Sequence, residues 1–276
     1  MISVIILTKN EATDIPACLA SVAFSDDVHV FDSFSTDGTQ DIARQLGATV
    51  HERAFDNYAA QRNASLTIPV FRNEWILILD ADERPSPALA TEMLHACANA
   101  PADVHGYRLR RNDYLWDTWL KHAQITPFYT RLVREGHARY VREINEVLEV
   151  DGRIVELTAP LNHFPFSKGI AHWVAKHNTY STMEAQLLAS GAAFADASLK
   201  TALFGSDRAE RRRAQKALFF RLPARPLIKW VYMMFVRGAV LDGYAGLTYS
   251  TLQSIYEYFI ALKARELRKE SERKGH

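Results

Sequence analysis

Residues 75–87 read WILILDADERPSP. An unbroken apolar run from Trp75 to Leu79 stops at Asp80, and Asp82 and Glu83 follow within three positions. Such a run, bounded by turn and charge signals, has the length and composition of a strand buried on both faces. Three carboxylates at its end repel one another unless positive charge sits against them. The stretch therefore predicts an interior strand that delivers acidic groups to the edge of a sheet.

Working outward, SVIILT (3–8) is a second β-branched run of the same kind, VHVF (28–31) a third strand and ATVHE (48–52) a fourth. Helical patterns fall between them. The first has Asp14 as its N-cap and Pro16 in its first turn. STDGTQDIARQLG (35–47) supplies a turn, a helix and a terminating Gly47, and another helix spans about Tyr58–Leu66. Ser86-Pro87 opens a helix with Leu89, Met93 and Cys97 on one face. Strand–helix alternation with short links predicts an α/β fold, a mostly parallel, Rossmann-like sheet covered by helices. GYRLRR (106–111), FYTRLV (128–133) and RIVEL (153–157) read as a mixed or antiparallel extension of that sheet. Ile170, Val174, Tyr180, Met183 and Leu187 recur at helical spacing over 170–190.

Hydrophobic residues make up 48% of the 276 and charged residues 24%, which excludes disorder. Two cysteines, Cys18 and Cys97, without metal-ligand spacing fit a reducing, cytoplasmic setting. MISVIILTKNEA lacks the basic lead and cleavage site of a signal peptide and is read as the first strand. The net charge of +1 hides a division: residues 200–276 carry 16 Lys/Arg against 7 Asp/Glu, leaving 17 against 25 for residues 1–199. Residues 207–229, DRAERRRAQKALFFRLPARPLIK, are basic with apolar interruptions, and an aromatic and methionine-rich stretch follows. Arg237 and Asp242 break that stretch, so it falls short of the roughly 18–20 apolar residues a bilayer crossing needs. Basic side chains beside apolar patches suit a helical segment lying on an anionic membrane surface. The acidic N-terminal body argues against a nucleic-acid partner. The expected division is a catalytic domain over 1–199, with a nucleotide-binding part to about 100 and an acceptor part beyond, and a basic amphipathic helical region over 200–276.

Ligands of parallel α/β sheets bind beyond the carboxyl ends of the strands. Alternation directs Asp80 and Asp82 to the same side of the chain, where two carboxylates can share one hard cation, Mg2+ or Mn2+.

Four blocks in order, SVIILTKNEA, VFDSFSTDGTQDIA, NYAAQRNASL and WILILDADE, covering about residues 2–84, resemble the family 2 glycosyltransferases of the GT-A fold. The resemblance implies an inverting, metal-dependent transfer of a hexose from a UDP-sugar. It places Thr8, Asn10 and Glu11 in the loop bordering the nucleotide, Asp32 near uracil and ribose, and Arg62 near the base or diphosphate. Ser33 stands where many members have a second acidic residue. Asp80 and Asp82 match the metal motif, with Asp82 the direct ligand and Asp80 reaching the ribose or the metal. In YVREINEVLEV (140–150) the resemblance aligns Glu146 with the catalytic base, Glu143 being the alternative, and puts Asn145 where relatives have histidine. His163 in LNHFPF matches a histidine that completes the metal shell or contacts phosphate. Tyr114, Trp116 and Trp119 offer aromatic faces for an acceptor sugar.

KHNTYSTMEA (176–185) and RLPARPLIKWVYMMFVRGAVLDGYAG (221–246) are similar to segments of family 2 enzymes that extend lipopolysaccharide inner core, the core β-glucosyltransferases. That implies a lipid-linked saccharide acceptor at the cytoplasmic face of the bacterial inner membrane. Capsule and exopolysaccharide enzymes, which use other nucleotide sugars, share parts of this tail. Two competing readings are a sugar-phosphate nucleotidylyltransferase, which would open with a glycine-rich loop this chain lacks, and a non-catalytic membrane-binding module.

Overall fold

The computed structural model describes residues 1–141, 147–190, 198–205 and 208–274. The chain divides into two compact units, residues 1–119 with 125–167, and residues 120–124 with 168–276.

The first unit runs β1 (Ile2–Thr8), α1 (Ile15–Ser21), β2 (Val28–Asp32), α2 (Thr39–Gln45), β3 (Thr49–Glu52), α3 (Tyr58–Thr67) and β4 (Trp75–Asp80). It continues through β5 (Glu83–Pro85), α4 (Pro87–Ala98), β6 (Val104–Leu115), β7 (Thr118–Trp119), β8 (Phe128–Arg134), β9 (Ala138–Val141), β10 (Val147–Val150) and β11 (Arg153–His163). The main sheet has the order β3-β2-β1-β4-β8-β6-β11-β5, with β7 paired to β6. The first four strands are parallel, β8 is antiparallel to both its neighbours, β11 is parallel to β6, and β5 is antiparallel to β11. This is the mixed α/β arrangement expected from the sequence, with its antiparallel extension. β9 and β10 form a separate hairpin.

Burial on both faces explains the apolar runs. Val4, Ile6, Leu77 and Leu79 enter one core with α1 and α4, whereas Ile5, Ile76 and Ile78 enter a second core with Ala59 and Phe71. Fully burying each such side chain contributes about 1.5–3 kcal/mol. Ser86 caps α4 as the sequence implies, and Asn57 caps α3, each side-chain oxygen accepting from the third residue on. Gly47 takes the left-handed turn that ends α2, at φ +87°. Asp14 stands before α1 but does not cap it. Its buried carboxylate instead accepts from Arg84 (3.0 Å) and from the Ser167 hydroxyl (2.6 Å), because a charged hydrogen bond to a guanidinium outweighs one to a neutral amide.

The second unit is helical: α5 (Gly169–Ala189), α6 (Leu199–Phe204), α7 (Arg208–Phe219), α8 (Arg225–Val231), a π-helical turn (Tyr232–Val236), a 3-10 turn (Ala239–Asp242) and α9 (Gly243–Lys274). The observed boundary lies at 167/168 rather than near 200, because α5 packs on α9 through Ala185, Leu188, Ile260 and Ala264. The buried face of α5 is Trp173, Ser181, Ala185 and Leu188, while Val174, Met183 and Leu187 of the apolar stripe are exposed. Small residues at the seam let the two helices approach, which an apolar periodicity does not reveal. Residues 120–124 join this unit because Asp242 accepts from the His122 and Ala123 amides and from the His122 ring. Among the described residues no helix is long and apolar enough to cross a membrane. Phe235, Val236, Leu241 and Tyr244 are nonetheless exposed, each by 66% or more.

Candidate active site

The parallel register aligns Thr8 with Asp32 and Leu7 with Asp80, so the carboxyl ends of β1, β2 and β4 meet at one edge. Asp32 is buried there. It accepts from the Thr8 hydroxyl (2.7 Å), the Ser35 amide (2.7 Å) and hydroxyl (2.6 Å), and the Gln40 amide (2.7 Å). Burial opposes its charge, but these donors outweigh it and hold the carboxyl below its ordinary value. Asn10, at φ +56°, accepts from the Thr36 amide, and its own amide donates to the Ser35 hydroxyl. The Glu11 amide donates to Thr39. The Ser33 side chain is buried and accepts from Gln61 (2.9 Å). Thr8 and Asp32 therefore end β1 and β2, and Asn10, Glu11 and Ser33 lie in the two loops that follow, stitched to each other.

The carboxylates after β4 are separated by what each one meets. Asp80 accepts from Arg62 (2.9 Å) and Arg131 (2.8 Å). Arg131 also donates to Glu83 (2.7 Å), which is fully buried and whose second oxygen accepts from the Asp80 amide. Burial disfavours the Asp80 carboxylate, yet Arg62 and Arg131 outweigh it and hold its carboxyl far below the usual range. The positive charge that this stretch requires thus comes in part from the protein itself.

Asp82 lies in the turn between β4 and β5, a quarter exposed, with the His163 Nε2 3.3 Å away. His163 ends β11 in register with Glu83 of β5 and Asp113 of β6. Its Nδ1 lies 2.5 Å from Asp113, which also pairs with Arg111 (3.0 Å). Burial works against a charged imidazole, but the hydrogen bonds to Asp113 and Asp82 prevail and push it up to about 9.

With Nδ1–H held by a carboxylate, Nε2 is the atom that would ligate once a cation displaces its proton, the arrangement that orients metal-binding histidines. Asp82 and His163 form an oxygen–nitrogen donor pair that suits a divalent cation and leaves positions for phosphate oxygens. Asp80, held by two guanidinium groups, does not close with them: among the described residues, the ligand atoms of three such groups come within 4.8 Å of one another in His105, His137 and Asp151 alone. That cluster lies at the opposite end of β6 from Asp113, eight residues or about 26 Å away.

Glu143 and Glu146 lie outside the described residues. Tyr114 stacks on Phe164 at 5.2 Å, and Trp116, at φ +52°, is half exposed. Arg131 and Asp113 are site residues that the sequence reading passed over. The signal for Arg131 was an arginine inside the apolar strand FYTRLV; for Asp113 there was none beyond charge at a strand end.

The family model for glycosyl transferase family 2 matches residues 3–149. A Rickettsia felis protein described as an uncharacterized glycosyltransferase is 29% identical over 96% of this chain and 89% of its own. One from Rickettsia conorii is 32% identical over 67% and 69%. The lipopolysaccharide core biosynthesis glycosyltransferase LpsC of Rhizobium meliloti is 24% identical over 95% and 91%. Among solved structures, Staphylococcus aureus TarS 1-349 aligns at TM-score 0.43 and 16% identity over 100% of this chain and 92% of its own. Glucosyl-3-phosphoglycerate synthase of Mycobacterium tuberculosis aligns at 0.35 and 20% over 41% and 44%. The family match spans β1 through most of β10, and so the strands that carry Thr8, Asp32, Asp80 and Arg131; this chain belongs to glycosyltransferase family 2.

Proposed function

We propose that this glycosyltransferase moves a hexose, glucose first among candidates, with inversion from a UDP-sugar to a lipid-linked saccharide of bacterial lipopolysaccharide core, with Mg2+ or Mn2+ bound at Asp82 and His163. The observation that carries the reading is the line Asp113–His163–Asp82, set beside the arginine-held Asp80 at the carboxyl edge of the parallel strands. The likeness to the Rhizobium meliloti core enzyme supports the acceptor class. The exposed apolar side chains of the helical unit support work at the cytoplasmic face of the inner membrane.

The loops after β1 and β2 hold the nucleoside, with Asp32 near the uracil and ribose, bracing these loops, and Thr8 fixing Asp32. Arg62 and Arg131 keep Asp80 ionised and aimed toward the ribose, and their charge favours a diphosphate nearby. Asp113 fixes the imidazole of His163 so that Nε2 and Asp82 face the same space. A bound divalent cation supplies charge stabilisation to the departing diphosphate. Glu146, with Glu143 as the alternative, takes the proton of the acceptor hydroxyl as its oxygen attacks the anomeric carbon from the face opposite the diphosphate. One bond to that carbon forms as the bond to the diphosphate oxygen breaks, which inverts the centre.

The test is turnover of labelled UDP-glucose onto a purified core acceptor by the full chain, with Mn2+ or Mg2+ and with chelator. Transfer that needs metal and falls at least ~100-fold in Asp82→Ala is expected, as for removal of a transition-state stabilising group. Full activity in chelator or in that variant would refute the reading.

A further inference from the structure

We propose that the helical unit holds a binding site for a single anionic phospholipid, with the phosphate on arginines of α8 and α9 and an acyl chain along an apolar wall between them. The site takes no part in sugar transfer and goes beyond general contact with a membrane.

The cleft that suggests it has a volume of about 1020 Å3 and is bounded by the end of α5, the turn before α8, α8 itself and α9. That volume is at the upper end of the roughly 300–1,000 Å3 typical of small-molecule sites. Arg221, Arg225, Arg265 and Arg268 line it, and no lining residue is acidic. Leu222 and Leu227 supply exposed apolar surface beside them.

Arg225 is the informative member. It is 6% exposed, and it follows Ala224, whose left-handed φ of +49° turns the chain into α8. Its Nη1 donates weakly to the Phe220 carbonyl (3.4 Å), and its guanidinium lies over the Phe220 ring at 5.0 Å. The neighbouring carboxylate, Glu257, approaches Nε only to 3.6 Å and is engaged by Lys229 at 3.1 Å. The buried Nη2 has no hydrogen-bond partner. The charge of Arg225 stands with those of Arg221, Arg265 and Arg268 around a cleft without a lining carboxylate, and a phosphate oxygen is the acceptor that planar guanidinium forks fit.

Two features choose a lipid over a soluble anion. A free phosphate or nucleotide would leave Leu222 and Leu227 facing water, whereas an acyl chain covers them. Val231, Tyr232 and Phe235, which follow Leu227 at the end of α8 and in the π-helical turn, are also exposed and add apolar surface of the kind that enters a headgroup layer. Charge complementarity then selects an anionic headgroup over a zwitterionic one.

The test uses the full chain with vesicles of phosphatidylcholine containing phosphatidylglycerol, a tenth of it bearing a photoactivatable acyl chain. Crosslinks are expected in peptides spanning 220–227 and 258–268, at one lipid per chain, and persist in 10 mM inorganic phosphate. Ala261→Trp fills the cleft without removing charge and is expected to lower affinity for these vesicles about tenfold; Arg265→Glu lowers it similarly. Circular dichroism confirms the fold of each variant, and if either fails to fold, the crosslink map of the unaltered chain decides. Crosslinks scattered over the basic surface, equal labelling by phosphatidylcholine, or displacement by inorganic phosphate alone would overturn the site. So would unchanged affinity in a folded Ala261→Trp variant. None of these readouts involves sugar transfer, so their failure leaves the enzymatic reading standing.

Discussion

Arg131 carries two carboxylates on one nitrogen: Asp80 at 2.8 Å and the fully buried Glu83 at 2.7 Å. Arg131→Ala strands Glu83 without a countercharge at hydrogen-bond distance, since Arg111 stands 4.0 Å away. Breaking a buried pair costs about 3–5 kcal/mol, so the urea midpoint of this variant is expected to collapse, while Arg131→Lys retains part of the loss. Asp113→Asn acts differently. It keeps the shape but weakens the hold on Nδ1 of His163, and a loss of about 10–100-fold in Mn2+ affinity is expected by calorimetry. Asp80 and Asp82 were legible in the sequence because an apolar run ended on them. Their partners were not, because the chain folds Arg131 against Asp80 from 51 residues away and Asp113 against His163 from 50, and charge pairing across strands leaves no local pattern.

At the level of elements, β1, β2 and β4 announce themselves because burial on both faces demands continuous apolar residues. Asp27 ties them together at the amino end of β2: it accepts from Ser3 on β1 (2.5 Å), from His29 on β2 (3.0 Å) and from the Arg72 amide ahead of β4 (2.8 Å). Burial opposes its charge, but Arg72, Ser3 and His29 outweigh it and hold the carboxyl below its ordinary 3.8. A depressed folded value contributes stability that is complete above 3.8 and disappears as pH falls through the folded value. Urea midpoints measured from pH 6 down to pH 3 are expected to fall more for the unaltered chain than for Asp27→Asn. The helix of α5 is legible from its apolar spacing, but its buried face is not, because that face includes the polar Ser181 and the small Ala185. Instead, Lys263 of α9 places its ammonium within 2.8 Å of the Asn178 carbonyl and side-chain oxygen, Ser181 Oγ and Thr182 Oγ1. Lys263→Met is expected to destabilise the helical unit by about 1–3 kcal/mol, read as a lower thermal midpoint.

For the whole molecule, charge and packing draw different lines through the chain. Basic residues concentrate beyond residue 200, whereas the structural boundary precedes α5 because helix packing, not charge, decides which segments cohere. The acidic unit carries the sheet and the candidate site, and the basic helical unit carries the exposed apolar surface. The proposed transfer rests on one cation-dependent event at Asp82. Its most direct test is calorimetric binding of UDP to the full chain with and without Mn2+, repeated with Asp82→Asn. Because Asp82 is partly exposed in a turn, the variant is expected to fold normally. UDP binding is expected to strengthen at least ~10-fold with Mn2+ in the unaltered chain and to lose that gain in the variant. Binding that ignores Mn2+, or a gain that survives Asp82→Asn, would contradict the proposed transfer.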